Sequence, residues 1–306
     1  MRRALRRGML ASALLVGLAA LWLGVSHVLL SRGPVLGPKP AGALRIATHN
    51  IHYIVVGRGA GRWSDRAWDR RKQAADATFK ALDADIVAFQ EMESFSGGND
   101  DHNNLARQWL LAQNPDYAAA AIGDWRAFPS TQPVFYRRAR LAVVDQGWFF
   151  FSDTPDQIYS RTFDGSYPAF ASWVAFRDRR NDTELRVLNV HLDYASAENR
   201  RKSTALIVEK LNQWRAEGRA VVLVGDLNAR AGSSVLASLA QTGLSFLPVA
   251  GATYHLDRGL HLFGAIDHIG HTPEITPLAA PVVFRQKLTA VWPSDHYPVV
   301  ADFTSD

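Results

Sequence analysis

Gly8 to Leu30, GMLASALLVGLAALWLGVSHVLL, is a run of 23 residues without a charge, directly after Arg2, Arg3, Arg6 and Arg7. About 20 apolar residues at roughly 1.5 Å rise each cross the hydrocarbon core of a bilayer, and lipid accepts such a segment only as a helix. The apolar region of a cleaved signal peptide is shorter, about 7–15 residues, and ends in a small-residue cleavage site that is not evident here. A buried core helix would carry an amphipathic stripe, and this run has little of one. Residues 8–30 therefore read as an uncleaved signal anchor. The four arginines precede it, while only Arg32 and Lys39 follow closely. The positive-inside rule then places residues 1–7 in the cytoplasm and everything after residue 31 outside the cytoplasmic membrane. Residues 31–43, SRGPVLGPKPAGA, read as a Pro/Gly linker.

The same segment explains the net charge of +5. Six of the 34 basic residues lie before residue 44 and the first acid is Asp65, so 28 basic residues face 29 acids in the remainder. That balance weakens a nucleic-acid reading, because nucleic-acid affinity draws heavily on Lys and Arg. The dense basic runs Arg70-Arg71-Lys72, Arg137-Arg138, Arg177-Asp178-Arg179-Arg180 and Arg200-Arg201-Lys202 read as solvated faces. With no cysteine in the chain, disulfides, thiolate zinc sites, iron–sulfur clusters and cysteine nucleophiles are excluded together.

From Leu44 the pattern changes to short apolar runs. Strands are expected at Leu44–Thr48, Asp85–Gln90, Gln132–Tyr136, Leu141–Phe151, Phe170–Phe176, Leu185–His191, Ala220–Val224, Ala265–Ile269 and Pro298–Phe303. Helices are expected at about 66–82, 103–113, 198–216 and 233–241, with Gly218 ending the third. No repeat or second linker divides residues 44–306, so they read as one layered α/β domain.

Functional groups collect at strand ends in such domains. Thr48-His49-Asn50, Gln90-Glu91, Asn189-Val190-His191-Leu192-Asp193, Gly225-Asp226-Leu227-Asn228-Ala229, Ile266-Asp267-His268 and Ser294-Asp295-His296-Tyr297-Pro298 all fall there. Taken singly they are weak, since an Asp after a strand is more often a turn or N-cap and a lone His more often structural. Together they offer Glu91, Asp226 and Asp295 as hard oxygen ligands for a cation such as Mg²⁺. Asn50 and Asn228 can position a ligand or a phosphate oxygen, and His191 and His296 can donate to phosphate or take a proton from water. Asp267 can hold one of those imidazoles. The other histidines, His49, His52, His102, His255, His261, His268 and His271, lack helical H-x-x-x-H spacing and read as surface or supporting residues.

In this order the strings resemble the endonuclease/exonuclease/phosphatase superfamily, with GDLNA and SDHYPV the most specific, over about residues 44–304. The resemblance implies a four-layer α/β sandwich, two mixed β-sheets flanked by helices, and a Mg²⁺-dependent hydrolase, with Mn²⁺ as a substitute. It assigns Asn50 and Glu91 to the metal, Glu91 as main ligand, and Asp295 as the second carboxylate on the metal side. It places His191 on the scissile phosphate, Asp226 on the attacking water and Asn228 beside the phosphate. His296 becomes the base or phosphate-stabilising histidine, oriented by Asp267, and Tyr136 in VFYRR the tyrosine near the phosphate. The implied reaction is one in-line attack of water on phosphorus, without a serine or threonine nucleophile.

The substrate stays open among nucleic acid, phospholipid and inositol phosphate. The leading reading is a phosphodiesterase or phosphomonoesterase outside the cytoplasmic membrane, probed against a DNA or RNA nuclease and against an inactive membrane-tethered binding module. A monomer is expected. The stretch Trp148–Pro155 resembles one bacterial branch, but Ala169 stands where that branch carries an arginine. No apolar lipid-inserting hairpin is visible, and Trp63, Trp68 and Trp125 are expected in the core or at a rim.

Overall fold

The computed structural model describes residues 2–95, 104–165 and 167–304. One long helix, α1 (Arg2–Leu30), precedes the domain. The first half of the domain runs β1 (Leu44–Asn50), β2 (Ile54–Val55), α2 (Asp65–Leu82), β3 (Ile86–Gln90), β4 (Ser94–Phe95), α3 (Leu105–Gln113), β5 (Tyr117–Ala120), β6 (Val134–Arg137) and β7 (Leu141–Phe150). The second half runs β8 (Phe170–Asp178), β9 (Glu184–His191), α4 (Ala197–Ala216), β10 (Val221–Asp226), α5 (Ser234–Ala240), β11 (Ser245–Phe246), β12 (Asp267–His271), β13 (Val282–Val283) and β14 (Val299–Phe303). All nine expected strands and all four expected helices form, with ends shifted by up to two residues. Residue 103 of the second helix, like His102, lies outside the described residues.

Two six-stranded mixed sheets, ordered β13-β14-β1-β3-β6-β5 and β11-β12-β10-β9-β8-β7, stack face to face. Period-two alternation makes the layers. In β1, Ile46 faces the other sheet while Ala47 faces α2, and in β10, Val222 and Val224 face inward while Val221 and Leu223 face α4 and α5. The inter-sheet core adds Ile86, Val134, Phe176, Val187 and Ile269. Outside it, Trp68, Phe79 and Leu82 of α2 cover one sheet, and Ile207, Leu211 and Trp214 of α4 cover the other.

Sequence sets the helix limits. Ser64 caps α2 by accepting from Ala67 N, Ser196 caps α4 by accepting from Asn199 N, and Gly218, at φ +70°, turns the chain out of α4. α2 connects parallel β1 and β3, and α4 connects parallel β9 and β10. These two βαβ units fix the site, because they bring four strand ends to one edge of the sandwich. A polar girdle joins the sheets just beneath that edge. Gln90 Nε2 donates to Asn189 Oδ1 at 2.6 Å, and Ser172 Oγ donates to Gln132 O at 2.6 Å.

Residues 31–43 are less free than their composition suggests. Lys39 Nζ donates to Asp85 Oδ1 at 2.9 Å, Gly37 O accepts from Arg45 Nη2 at 3.1 Å, and Leu36 packs on the α2 side of the first sheet. Proline fixes this segment in extended form, and its carbonyls are taken up by arginines of the domain.

Candidate active site

Asn50 and Asp226 end strands of different sheets, and the asparagine side chain bridges them. Its Nδ2 donates to Glu91 Oε1 at 3.1 Å and to Asp226 Oδ2 at 3.2 Å. His191 Nε2 stands 3.9 Å from Glu91 Oε1 and 3.7 Å from Asp226 Oδ2. His296 Nε2 lies 3.7 Å from the same Asp226 oxygen, while its Nδ1 is 2.9 Å from Asp267 Oδ2. Asp267 comes to hand because β12 pairs antiparallel with β10, setting Asp267 opposite Asp226. Asn228 donates its backbone N–H to Asp226 Oδ1 at 2.9 Å and its amide to Leu192 O at 2.8 Å. Glu91, His191, Asp226, Asn228, Asp295 and His296 line one pocket of about 940 Å³, with Asn50 and Asp267 buried behind them.

Backbone conformation aims several of these side chains. His52, Glu91 and Asn228 have φ of 67°, 54° and 45°, a left-handed region that non-glycine residues seldom occupy. Such strain persists where the surroundings over-determine it, and it collects at functional sites.

The charges are set by burial and by one another. Burial alone would lower the His296 pKa, but Asp267 and Asp226 outweigh it and hold the imidazole well above its ordinary value. Burial opposes ionisation of Asp267, yet the charge and hydrogen bond of His296 keep its carboxyl below the usual range. Burial, then the neighbouring Asp267, pushes Asp226 upward. The result is a cationic imidazole facing a carboxylate of raised proton affinity, beside Glu91. No lysine or arginine pairs with Glu91 among the described residues. Its Oε2 accepts from Tyr53 N at 3.3 Å.

Asp295 lies in a second cluster of the same pocket. Arg62 Nη2 forms an ion pair with it, and ligand-capable atoms of His52, Asp257 and Asp295 lie within 4.8 Å of one another. Burial raises the Asp295 pKa, but His296, His52 and Arg62 together bring it below its ordinary value. Sequence reasoning missed Arg62, Asp257, Tyr53 and Tyr254, and underrated His52. His52 had a signal, since it stands two residues after Asn50 at a strand end. Tyr254 and Asp257 had none, because they come from an irregular segment that pairs through Tyr254 with His296.

Two expectations need correction. Tyr136 is not at the site. It stands opposite Ile86 in the β3–β6 ladder, four residues before Gln90, or about 13 Å along the strand, with its ring 5.2 Å from Phe176 in the inter-sheet core. Of the histidines expected on the surface or in support, His49, His52, His255, His261, His268 and His271 are all buried, on the supporting side of that expectation. Burial depresses His49 and His255 to about 3 and His261 to about 4, so their rings serve as neutral packing groups. Arg71 is not solvated. Its guanidinium is buried and donates to Ile51 O, His52 O and Pro293 O, pinning two loops of the pocket. Trp68 is core and Trp63 is rim, stacked 5.8 Å from Tyr53. Ala169 is buried and offers the pocket nothing.

The sequence signature of the Endonuclease/Exonuclease/phosphatase family matches residues 47–296. A Bacteroides thetaiotaomicron mannosyl-6-phosphatase superposes with TM-score 0.71 at 22% identity, covering 85% of this chain and 99% of its own. An endonuclease/exonuclease/phosphatase from Bacteroides vulgatus gives 0.69 at 26%, covering 85% and 98%. D. rerio TDP2 complexed with a single-strand DNA product gives 0.60 at 15%, covering 86% and 99%. None of the curated proteins compared with the chain matches it. The donor set, carboxylates and amides without a thiol, suits a hard divalent cation.

Proposed function

Since the chain belongs to the endonuclease/exonuclease/phosphatase family of phosphoric ester hydrolases, we propose that it is a Mg²⁺-dependent phosphoesterase that hydrolyses its substrate by in-line attack of water, outside the cytoplasmic membrane. The observation that carries this reading is the pair of imidazoles flanking Asp226. His191 Nε2 and His296 Nε2 both stand 3.7 Å from Asp226 Oδ2. A water between these groups has an acceptor for its proton in Asp226, and a phosphoryl oxygen has two imidazole donors. Asn228 holds Asp226 by its backbone N–H and so fixes the direction of attack. His296, kept protonated by Asp267, stabilises charge on the phosphoryl oxygens.

Asn50, Glu91 and Asp295 are the residues that would hold Mg²⁺, with Mn²⁺ as a substitute. When bound, the cation supplies Lewis-acid stabilisation of the phosphoryl oxygens. Asp295 would take that role in place of its ion pair with Arg62.

Two observations support a retained membrane anchor. Ser12–Leu30 of α1 is apolar, with mean hydropathy 2.2, and none of it is buried. The end of the helix is also built into the domain, as Ala252 N donates to Leu30 O at 3.0 Å and the His27 and His261 rings stack at 4.9 Å. Cleavage after residue 30 would strip the domain of contacts it uses. A nucleic-acid substrate is less supported, because Arg62 is the one Lys or Arg lining the pocket among the described residues and it is engaged by Asp295 and Asp257.

The test is hydrolysis of bis-p-nitrophenyl phosphate by the full chain in detergent. Turnover should require Mg²⁺ or Mn²⁺ and stop with EDTA. Glu91→Gln should weaken metal dependence and activity together, whereas EDTA-resistant turnover would remove the metal mechanism.

A further inference from the structure

α1 ends beside the pocket, not behind it. One segment makes both contacts. Ala252 and His261 hold the helix, through the Leu30 carbonyl, the His27 ring and a 2.6 Å hydrogen bond between Ser31 Oγ and His261 Nδ1. Two residues beyond each, Tyr254 and Phe263 line the pocket. Two residues of chain reach at most about 7 Å. The approach is close, for a Cβ on Gly251 would lie 2.4 Å from Leu30 O.

The depth follows from length. The 23 uncharged residues Gly8–Leu30 extend about 34 Å, a little beyond the roughly 30 Å hydrocarbon core, so the last turn of α1, His27–Leu30, sits at its boundary. A pocket wall within about 7 Å of Leu30 contacts lies in the headgroup layer, which extends roughly 5–7 Å on each side.

The surface there has the matching chemistry. Leu260, Phe263 and Leu288 expose 38%, 42% and 44% of their surface, and Arg258 and Lys287 are exposed beside them. Trp292 ties the two segments together, lying 3.2 Å from a Cβ placed on Gly259 and under Lys287 Nζ at 5.4 Å. Apolar side chains interleaved with Lys and Arg suit an anionic bilayer surface. No single hairpin carries this patch, so the sequence did not show it.

We propose that the pocket takes the headgroup phosphate ester of a phospholipid in the leaflet where α1 emerges. This rests on the anchored phosphoesterase reading and names its substrate class. The lipid need not leave the bilayer, since its acyl chains stay in the membrane while the phosphate enters a 940 Å³ pocket. In the reaction the water oxygen bonds to phosphorus and the ester P–O bond breaks with its electron pair. The proton lost by water balances the one gained by the leaving alkoxide.

The chain has no cysteine, which permits clean single-site labelling of the full-length protein in vesicles of phosphatidylcholine and phosphatidylglycerol. A fluorophore on Leu260→Cys or Leu288→Cys should be quenched at least twofold by lipids spin-labelled near the headgroup. One on Asp182→Cys, in the hairpin before β9, should not. Labels at 260 and 288 behaving like 182, with Leu21→Cys quenched by acyl-chain spin labels, would overturn the proposal while leaving the anchor intact. Failure at Leu21 would remove the anchor and the proposal together. In the same vesicles, phosphatidic acid or phosphatidylglycerol should turn over at least tenfold faster than glycerol 3-phosphate or glycerophosphoglycerol. Equal or slower lipid turnover with bis-p-nitrophenyl phosphate still hydrolysed overturns the substrate class. No turnover of any ester overturns the phosphoesterase reading as well.

Discussion

His296 and Asp267 act as one unit if the 2.9 Å contact between them is what keeps the imidazole charged. Removing the ring by His296→Ala should lower kcat at least about 100-fold. Asp267→Asn should reproduce part of that loss by leaving the ring present and misdirected. The double mutant should be little worse than His296→Ala, because the second change has nothing left to act through. Additive losses in the kcat cycle would reassign Asp267 to structure. Gly225 makes a different demand at the same scale. Its φ is +144°, and a Cβ there would fall 1.9 Å from Val190 O in the neighbouring parallel strand. Gly225→Ala should cost about 3 kcal/mol or more, read as a lowered Tm or as loss of folded protein in detergent. The glycine of GDLNA thus lets β10 lie close enough to β9 for Asp226 to meet His191.

At the scale of elements, strands with alternating β-branched residues were found and bland ones were not. Tyr117–Ala120, YAAA, forms an edge strand whose alanines carry no strand signal and whose place is decided by pairing with β6. The two-residue strands Ile54–Val55, Ser94–Phe95, Ser245–Phe246 and Val282–Val283 are likewise products of neighbours. The junction of α1 with the segment 250–263 adds a testable pH dependence. Burial, then Arg285 and His27, depresses His261 to about 4, with Tyr297 Oη 3.0 Å from its Nε2. The unfolded chain takes that proton near 6.5, so between about 6.5 and 4 the unfolded state binds more protons than the folded one. Stability from this group is complete above that window and is lost on acidification through it. The Tm of the full chain in detergent should drop by at least about 3 °C from pH 7.5 to pH 5. His261→Gln, which cannot titrate, should show a smaller drop; an equal one would place the acid sensitivity elsewhere.

For the whole molecule, the arginines before α1 predict a topology. An alkaline phosphatase fused after residue 304 should be active and a cytoplasmic reporter fused there should not, and the opposite pattern would turn the site toward the cytoplasm. The apolar N-terminal helix, the layered class and most of the candidate-site residues were legible in the sequence because each has a local cause. Apolar length makes a spanning helix, period two makes a two-faced strand, and polar residues closing a strand mark its open end. Asn50, Glu91, His191, Asp226, Asn228 and His296 could be named from such ends. Tertiary structure alone decided that Tyr136 belongs to the core, since its register against Ile86 depends on a partner strand distant in sequence. It alone brought Arg62 and Asp257 onto Asp295, because loop residues carry no periodicity that records their neighbours. It also decided that the end of α1 meets the pocket wall. The sequence sets the apolar length of α1, but only the contact between Leu30 and Ala252 fixes the end of that helix beside the pocket, and a contact across more than 200 residues leaves no trace in local pattern.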